Sequence, residues 1–271
     1  MSNSSLISYT KLSPNRYSPR RYSISRGSIH CMAGNLSVET CGNVFADRNR
    51  QASSNYGIGS DGRIALYVNE SDGSWCTSSF DNDNRAITIE VANDGGSPDW
   101  HVSDKALESL INLLVDICKR NGKNKVLWFN DKQKSLAYQP AENEFVLTVH
   151  RWFANKACPG DYLYNKHYYI AEQVNKKLNR VIKGVCQMPN PNGSGYLLGI
   201  ETYENNNYQY EISIYDCNKQ AWVAGTGKCF SESNCIWWVW QPEYGYYWTL
   251  FRVYDTNGNI LDEECYGFEN I

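Results

Sequence analysis

The sequence predicts an α/β fold with a mixed central sheet flanked by helices, followed by a small C-terminal all-β sandwich-like domain. In the first two thirds of the chain, short apolar segments with strand period alternate with longer segments of helical period. A stretch rich in proline, glycine and asparagine at residues 183–195 is typical of a linker. Beyond it, apolar and polar residues alternate at the two-residue period of strands. We therefore expect two domains, at residues 1–182 and 196–271.

The first elements in chain order are a strand, a short helix and a hairpin. An apolar segment near Ser28 predicts a buried strand, and residues 37–44 predict a short helix. An Asp-Gly pair at 61–62 lies between two segments that favour strands, near Ser54 and Arg63. Because Asp-Gly is among the strongest short hairpin signals, these two strands are expected to pair.

A further strand is expected over residues 85–91, and it contains one carboxylate, Glu90. An ionisable side chain in an apolar strand is costly unless it is paired or functional. Ser103 is a good N-cap for the helix that follows, which is expected to end at residues 121–122. Apolar residues recur along this helix at helical spacing, at Leu107, Leu110, Ile111, Leu114, Val115 and Cys118.

The last elements of the first domain are a strand and a helix. The strand is expected through residues 145–149, and it leads directly into His150. Asp161 is a candidate cap for a last helix, which has one apolar face. Together, these alternating elements predict a sheet covered by helices.

The last part of the chain is rich in aromatic residues: residues 186–271 contain ten Tyr, five Trp and three Phe. Strand alternation is clear at residues 208–215 and 248–254, and most of the rings are expected in a β-sandwich core. Residues 237–240 read Trp-Trp-Val-Trp, which is too dense a run to be wholly buried. Exposed rings have flat apolar faces and polar edges, which suit stacking on sugars.

The composition is that of a globular protein, with 42% hydrophobic and 20% charged residues among 271. No run of 18 apolar residues predicts a transmembrane helix, so no membrane insertion is expected. The first thirty residues contain basic side chains but no apolar core segment, so no signal peptide is expected either. These two features favour synthesis in a cytoplasm.

Ten cysteines are present, and the missing signal peptide favours a reduced state over a disulfide scaffold. Cys118, within the predicted helix, is expected to be a small buried hydrophobic residue. Cys31, Cys41 and Cys76 are expected near one cleft, with Cys31 in a packing role.

A candidate metal site begins with His150 and Cys158, which lie eight positions apart, with Lys156 two residues before the cysteine. Imidazole nitrogen and thiolate sulfur are ligands that zinc accepts, and a catalytic zinc needs three protein ligands. A buried histidine and an unrelated buried thiol would explain the same spacing. The remaining histidines are His30, at the end of a predicted strand, and His101 and His167, which are expected in a surface loop and on a helix surface.

Four ordered motifs give the chain a specific resemblance to a known family. The segments SIHCMAG, NYGIGSDGRI, AITIEVAND and HRWFANKACPGDYL begin at residues 28, 55, 86 and 150. In this order they resemble the type 2 zinc N-acetylmuramoyl-L-alanine amidases, and most of all the endolysins of phages and prophages of Gram-positive bacteria. The resemblance covers roughly residues 1 to 180 and implies a fold like that of the peptidoglycan-recognition proteins.

The resemblance implies a role for each candidate residue. The Zn²⁺ ligands would be His30, His150 and Cys158. The acidic catalytic residue would be Glu90, and the polar helpers would be Tyr56 and Lys156. Members of the family differ in whether a glutamate or a tyrosine dominates proton transfer. Because this chain has both residue types, the division of labour stays open at this point.

The chemistry of amide hydrolysis agrees with these roles. Bound zinc lowers the pKa of water to about 7, which makes hydroxide available. Glu90 could then take a proton and pass it to the leaving amine. Lys156 and Tyr56 could stabilise the negative charge that develops on the carbonyl oxygen.

Charge divides the chain unevenly. Residues 1–185 contain 23 basic and 18 acidic side chains, a net charge of +5, whereas residues 186–271 contain 3 and 11, a net charge of −8. The field of a basic catalytic half would favour approach to an anionic Gram-positive wall. The resemblance implies that the partner is cell-wall peptidoglycan; no nucleic-acid partner is expected, and the aromatic-rich domain is expected to bind the wall.

The resemblance implies an endolysin that stays in the host cytoplasm until lysis and then acts at the wall. Three alternatives remain: a peptidoglycan-binding protein without catalysis, a bacterial autolysin, and a regulatory protein-binding role. The presence of both Cys158 and Glu90 counts against the first alternative. The missing export signal counts against the second.

Overall fold

Separate hydrophobic cores lie in two units of the chain, Met1–Leu178 and Asn179–Ile271. The computed structural model describes residues 2–204 and 206–270. Within these described ranges, no helix combines the length and the hydropathy that a membrane crossing requires.

The first unit is built around one sheet with helices packed on it. Its strands are β1 (Tyr9–Thr10), β2 (Arg16–Tyr17), β3 (Arg26–Cys31), β4 (Tyr56–Ile58), β5 (Ile64–Leu66), β6 (Gly73–Ser74), β7 (Ala86–Val91), β8 (Lys125–Leu127) and β9 (Glu144–Val149). Its α-helices are α1 (Val38–Ala46), α2 (Phe80–Arg85), α3 (Asp104–Arg120), α4 (Lys132–Ala137) and α5 (Gly160–Leu178). Two short 3-10 helices lie at Arg48–Arg50 and His150–Trp152.

Seven of these strands form the central sheet in the order β1-β5-β4-β7-β3-β9-β8, and β2 pairs with β6 separately. The β4–β5 pair is antiparallel, and the other neighbours in the sheet are parallel. The predicted mixed sheet flanked by helices is thus confirmed. Its centre consists of parallel strands, so β3, β7 and β9 all end at one edge.

The central strands have two chemically different faces. His30 on β3 lies opposite Glu90 on β7, and Glu90 lies opposite Gly57 on β4. Their chain neighbours Ile29 and Ile89 join the hydrophobic core with the apolar faces of α3 and α5. Because side chains alternate along a strand, one face of the sheet is core and the other is available for polar side chains.

Local signals in the sequence set the ends of several elements. The Ser103 side chain accepts a hydrogen bond from the backbone N–H of Ala106, which is the expected N-cap of α3. At the predicted hairpin, the Gly59 N–H donates to the Arg63 carbonyl at 3.0 Å. Gly62 has a φ of +86°, a conformation that glycine adopts without strain. The helix and the hairpin predicted from these signals are confirmed.

The second unit consists of antiparallel strands. They are β10 (Ile182–Pro189), β11 (Tyr196–Thr202), β12 (Gln209–Asp216), β13 (Ala221–Gly225), β14 (Cys229–Phe230), β15 (Cys235–Trp240), β16 (Gly245–Tyr254) and β17 (Ile260–Asn270). One sheet has the order β10-β11-β15, and the other has the order β13-β12-β16-β17 with β14 beside β12. Side chains from both sheets share one buried core, which confirms the predicted all-β fold.

The prediction of a linker at residues 183–195 is wrong. Most of this segment is strand β10, which pairs with β11 from Ile182↔Thr202 to Pro189↔Tyr196. The prolines and glycines mark the turn of this hairpin, where the Asn190 N–H donates to the Gly195 carbonyl at 2.8 Å. The same residue types favour linkers and tight turns, so composition alone did not separate the two.

Candidate metal centre

Two histidines meet at the edge where the central parallel strands end. His30 is the fifth residue of β3, and His150 follows the last residue of β9 and begins a 3-10 helix. Because β3 and β9 are parallel neighbours, their carboxyl ends lie together. The two imidazole rings have centroids 5.0 Å apart.

Cys158 completes this cluster from the loop before α5. Its sulfur lies 3.4 Å from Nδ1 of His30 and accepts a hydrogen bond from the Cys31 backbone N–H at 3.4 Å. The Arg151 N–H donates to the Cys158 carbonyl at 3.1 Å, which ties the loop back to the 3-10 helix. The candidate ligand atoms of His30, His150 and Cys158 all lie within 4.8 Å of one another.

This arrangement fits a tetrahedral zinc ion. With zinc bonds of about 2.3 Å to sulfur and 2.0–2.1 Å to nitrogen, two ligand atoms lie about 3.6 Å apart, close to the 3.4 Å between Cys158 Sγ and His30 Nδ1. Burial lowers the pKa of both His30 and His150, so each ring is neutral at pH 7 and able to bind a metal.

The cysteine also needs a nearby cation to act as a thiolate. The hydrogen bond with the Cys31 thiol, burial and the charge of Glu90 raise the pKa of Cys158 well above its ordinary value. A coordinating metal reverses this balance, because its positive charge holds a thiol in the deprotonated form. The surroundings of Cys158 therefore fit a metal-bound thiolate: without a metal, the cysteine stays a protonated thiol.

Glu90 lies beside the three candidate ligands on the same face of the sheet. Its Oε1 is 4.0 Å from His30 Nδ1 and accepts a hydrogen bond from the Cys76 thiol at 3.9 Å. Burial, followed by the neighbouring Cys31, raises the pKa of Glu90 well above its ordinary value. A buried carboxyl group with a raised pKa beside candidate metal ligands is a candidate for proton transfer.

The cluster opens into a cavity of about 680 Å³. Glu90, His150 and Lys156 line it together, so the lysine borders the same space as one of the candidate ligands. After burial, the positive charge of Lys156 is the second cause that lowers the pKa of His150. The aromatic side chains Tyr17 and Trp75 also line the cavity.

Tyr56 does not belong to this cluster, which corrects the role expected for it. In the sheet register Tyr56 lies opposite Ile89, whereas its neighbour Gly57 lies opposite Glu90. The Tyr56 ring is therefore fully buried in the core on the other face of the sheet. Its hydroxyl donates to Glu70 at 2.5 Å and accepts from the Ser4 N–H at 3.0 Å.

The two other histidines are accounted for elsewhere. His101 is in a loop, with its Nδ1 2.5 Å from Asp94 Oδ1. His167 was expected on a helix surface, but it is fully buried in α5. Its Nδ1 donates to the Leu163 carbonyl at 2.6 Å, which leaves this nitrogen unable to bind a metal.

Three cysteines were expected near the cleft, with a packing role for Cys31 and no stated role for Cys41 and Cys76. Cys41 and Cys76 line the cavity, and Cys31 contacts Cys158 through its backbone N–H. His30, Cys76 and Glu90 form a second group whose candidate ligand atoms lie within 4.8 Å of one another. The sequence signal for Cys76 was only its type, since it lies in a loop outside the recognised motifs.

The chain is similar to several known proteins in sequence pattern or in fold. A search of curated proteins gives no significant match. Three similar solved structures are AmiA of Staphylococcus aureus in complex with its ligand, the amidase LysC of Clostridium intestinale URNW and the Drosophila peptidoglycan recognition protein SA.

The similarity is distant in each case. AmiA has 15% sequence identity and a TM-score of 0.47, over 66% of this chain and 85% of that chain. LysC has 16% identity and a TM-score of 0.42, over 63% and 97%. The Drosophila protein has 16% identity and a TM-score of 0.39, over 58% and 88%.

The family model described as N-acetylmuramoyl-L-alanine amidase matches residues 20–161, which is more than half of the chain. The matched segment includes every candidate residue of the cluster, from His30 to Cys158. The chain therefore belongs to the N-acetylmuramoyl-L-alanine amidase family.

Proposed function

We propose that this protein is a zinc-dependent N-acetylmuramoyl-L-alanine amidase, which hydrolyses the amide between N-acetylmuramic acid and L-alanine in peptidoglycan. The observation that supports this best is the convergence of His30, His150 and Cys158 beside Glu90 at the floor of an open cavity. Three ligands and an adjacent carboxylate make up the arrangement of a catalytic rather than a structural zinc site.

His30, His150 and Cys158 would hold the zinc, which supplies a Lewis acid and makes hydroxide available near neutral pH. Two neutral imidazoles and one thiolate leave a single net positive charge at such a centre. The Cys31 N–H and the Arg151 N–H hold the Cys158 loop in place, so the ligand separation is set before any metal binds.

Glu90 is the proposed proton carrier. Two observations support this role: its Oε1 lies 4.0 Å from Nδ1 of the candidate ligand His30, and burial raises its pKa. It would accept a proton as water attacks the carbonyl carbon and would deliver a proton to the departing L-alanine amine. The Cys76 thiol donates to Glu90 Oε1 and thereby orients the carboxylate.

Lys156 is the proposed stabiliser of the oxyanion. The residue is exposed and lines the cavity together with His150 and Glu90, where a substrate carbonyl would approach. Negative charge that develops on this carbonyl oxygen is stabilised by a preorganised cation. Since Tyr56 lies on the opposite face of the sheet, the proposal assigns proton transfer to Glu90 alone.

The biological setting is proposed to be that of a phage or prophage endolysin, which is made in the host cytoplasm and acts on the cell wall at lysis. The basic balance of residues 1–185 supports attraction to an anionic wall. The second unit, with several exposed aromatic side chains, is proposed to bind the wall. A peptidoglycan-binding role without catalysis is less favoured, because Glu90 and Lys156 both line the cavity.

Mass analysis of digested peptidoglycan tests this proposal. The expected result is a new N-terminal L-alanine on released stem peptides, with no new reducing sugar and no cleavage within the peptide. Removal of zinc with a chelator should abolish release, and added Zn²⁺ should restore it. Release of reducing sugar, or full activity after the metal has been removed, would contradict the proposal.

A further inference from the structure

A row of aromatic side chains crosses the solvent-facing surface of the β13-β12-β16-β17 sheet. In the strand register Tyr215 lies opposite both Trp222 on β13 and Trp248 on β16, and Trp248 lies opposite Gly267 on β17. Residues that pair directly across a sheet lie on the same face. The adjacent residue Ile214 is fully buried in the core, so the aromatic row faces outward.

The rings of this row are exposed but held in place. Trp222 and Trp248 are 57% and 48% exposed, and Tyr215 lies between them in an edge contact with Trp222 at 5.4 Å. Ring atoms of Trp248 lie only 3.5–3.6 Å from the point where a Cβ would be at Gly267. The Trp248 ring therefore lies over Gly267 at van der Waals distance.

Charge limits what can bind this surface. Residues 186–271 contain 3 basic and 11 acidic side chains, which disfavours anionic polymers such as teichoic acids and anionic lipids. On the same face Arg252 lies between Glu211 and Glu263 and forms ion pairs with both. Carboxylates accept hydrogen bonds from hydroxyl and amide N–H groups, which an uncharged N-acetylated sugar offers.

We propose that the row Trp222–Tyr215–Trp248 binds an uncharged β-1,4-linked N-acetylhexosamine glycan, with sugar rings stacked on the two tryptophans. The two tryptophans lie on strands two apart, so about 10 Å separates their positions in the sheet, close to the length of a disaccharide unit. This inference rests on the proposed wall-binding role of the second unit and specifies the wall component and the side chains that bind it.

The outer face of the β10-β11-β15 sheet has different chemistry. Trp237 is 57% exposed there, and its ring lies against Gly199 on the neighbouring strand. The register places the aliphatic side chains of Val239, Leu197 and Met188 next to it, in place of further rings. Trp237 is thus as exposed as Trp222 but lies outside the aromatic row, so it provides a matched control.

Titration of the full-length protein with oligomers of β-1,4-linked N-acetylglucosamine tests the proposal by calorimetry. These oligomers have no lactyl–peptide bond, so the proposed amidase activity cannot consume them. We expect Trp222→Ala and Trp248→Ala each to weaken binding by about tenfold or more, and Trp237→Ala to leave it unchanged. Trp222 lies on a short strand at the sheet edge, so its variant is the one least able to disturb folding.

Three results would overturn the proposal: no binding of the oligomers by the wild-type protein, an equal loss in Trp237→Ala, or binding of purified teichoic acid in their place. Circular dichroism of each variant separates lost binding from lost folding, and Trp222→Phe should recover part of the affinity if ring stacking is the cause. Hydrolysis of a soluble muramyl peptide by the wild-type protein is measured separately. Glycan binding without hydrolysis contradicts the proposed amidase function, whereas hydrolysis without glycan binding contradicts only the present inference.

Discussion

At the candidate metal centre, the residues next to His30 in the chain help to fix the positions of the candidate ligands. His30 is adjacent to Ile29, a core residue, and to Cys31, whose N–H donates to the Cys158 sulfur. This close coupling means that the ligands are held by the same strand that forms the core. The consequences for single substitutions differ sharply from one residue to the next.

Replacing the proposed sulfur ligand should remove the metal. We expect Cys158→Ser to lose zinc during dialysis and to lose hydrolysis with it, because a serine hydroxyl does not supply the thiolate that zinc binds. The exposed Cys265 in the second unit supplies the control, since Cys265→Ser should retain both. Metal content is measured by elemental analysis. Full zinc and activity in Cys158→Ser would rule out this ligand set.

Removing the proposed oxyanion stabiliser should slow turnover without loss of metal. Lys156→Ala is expected to reduce kcat by about 100- to 1,000-fold, the usual effect of losing one such donor, with zinc content unchanged. Lys132, an exposed lysine at the start of α4, gives the matched control, because Lys132→Ala removes the same charge away from the cavity. Equal rates for the two variants would show that Lys156 is only a surface lysine.

Tyr56 should affect stability and not catalysis. Its hydroxyl donates to the fully buried Glu70, so Tyr56→Phe leaves that carboxylate with one hydrogen bond fewer. We expect the free energy of unfolding to fall by about 1–3 kcal/mol, while kcat on a soluble muramyl peptide stays at the wild-type value. Urea unfolding and steady-state kinetics measure the two effects. A large fall in kcat of the folded variant would contradict the placement of Tyr56.

At the scale of elements, strand alternation decides which motif residues can act together. Tyr56 and Glu90 lie on neighbouring strands, but the register pairs Glu90 with Gly57. The side chains of Tyr56 and Glu90 therefore lie on opposite faces of the sheet. Tyr56 and Ile58 share one face of β4, but only the register with β7 shows that this face is the core side. Gly57 has a packing role as well, because a Cβ there would overlap the Tyr67 ring.

Helix α5 contains a buried titratable group, His167, whose ring packs 4.3 Å from that of Trp128. Burial lowers the pKa of His167 to about 4, below the value of about 6.5 for an unfolded histidine. Between these two pH values the unfolded chain binds more protons than the folded one. The contribution of His167 to stability is therefore complete above about pH 6.5 and is lost as the pH falls towards 4.

The variant His167→Phe keeps the aromatic packing and removes the titration. Its free energy of unfolding should depend less on pH between 4 and 6.5, by up to about 1.4 kcal/mol per pH unit. Urea unfolding of the metal-free wild type and variant at several pH values measures this difference. Identical slopes for the two proteins would mean that His167 does not titrate on unfolding.

The charge asymmetry of the chain acts at the scale of the whole molecule. Residues 1–185 have a net charge of +5, which should attract the protein to walls that contain teichoic acid. We expect the rate of wall hydrolysis to fall as NaCl increases, since salt screens this attraction. The rate on a soluble uncharged muramyl peptide, or on walls stripped of teichoic acid, should fall much less. Parallel salt dependence for all three substrates would exclude electrostatic attraction to teichoic acid.

Some helices and strands could be predicted from local sequence patterns, and others could not. The Ser103 cap and the Asp-Gly turn are encoded within a few residues, so α3 and the first hairpin could be predicted. The two- and three-residue strands β1, β2, β6 and β8 have no periodicity of their own, since they form only where a partner strand is present. The linker prediction failed at Ile182–Pro189 for a different reason, because proline, glycine and asparagine favour tight turns as well as linkers.

The sequence by itself indicated the residue types of the candidate metal centre, the family and the division of the chain into a mixed α/β part and an all-β part. Tertiary structure alone decided that Tyr56 belongs to the core, that His167 is buried and that Trp222, Tyr215 and Trp248 form one row. The physical reason is that ligand chemistry and strand period are local properties. The face on which a side chain lies is fixed by register between strands that are distant in sequence.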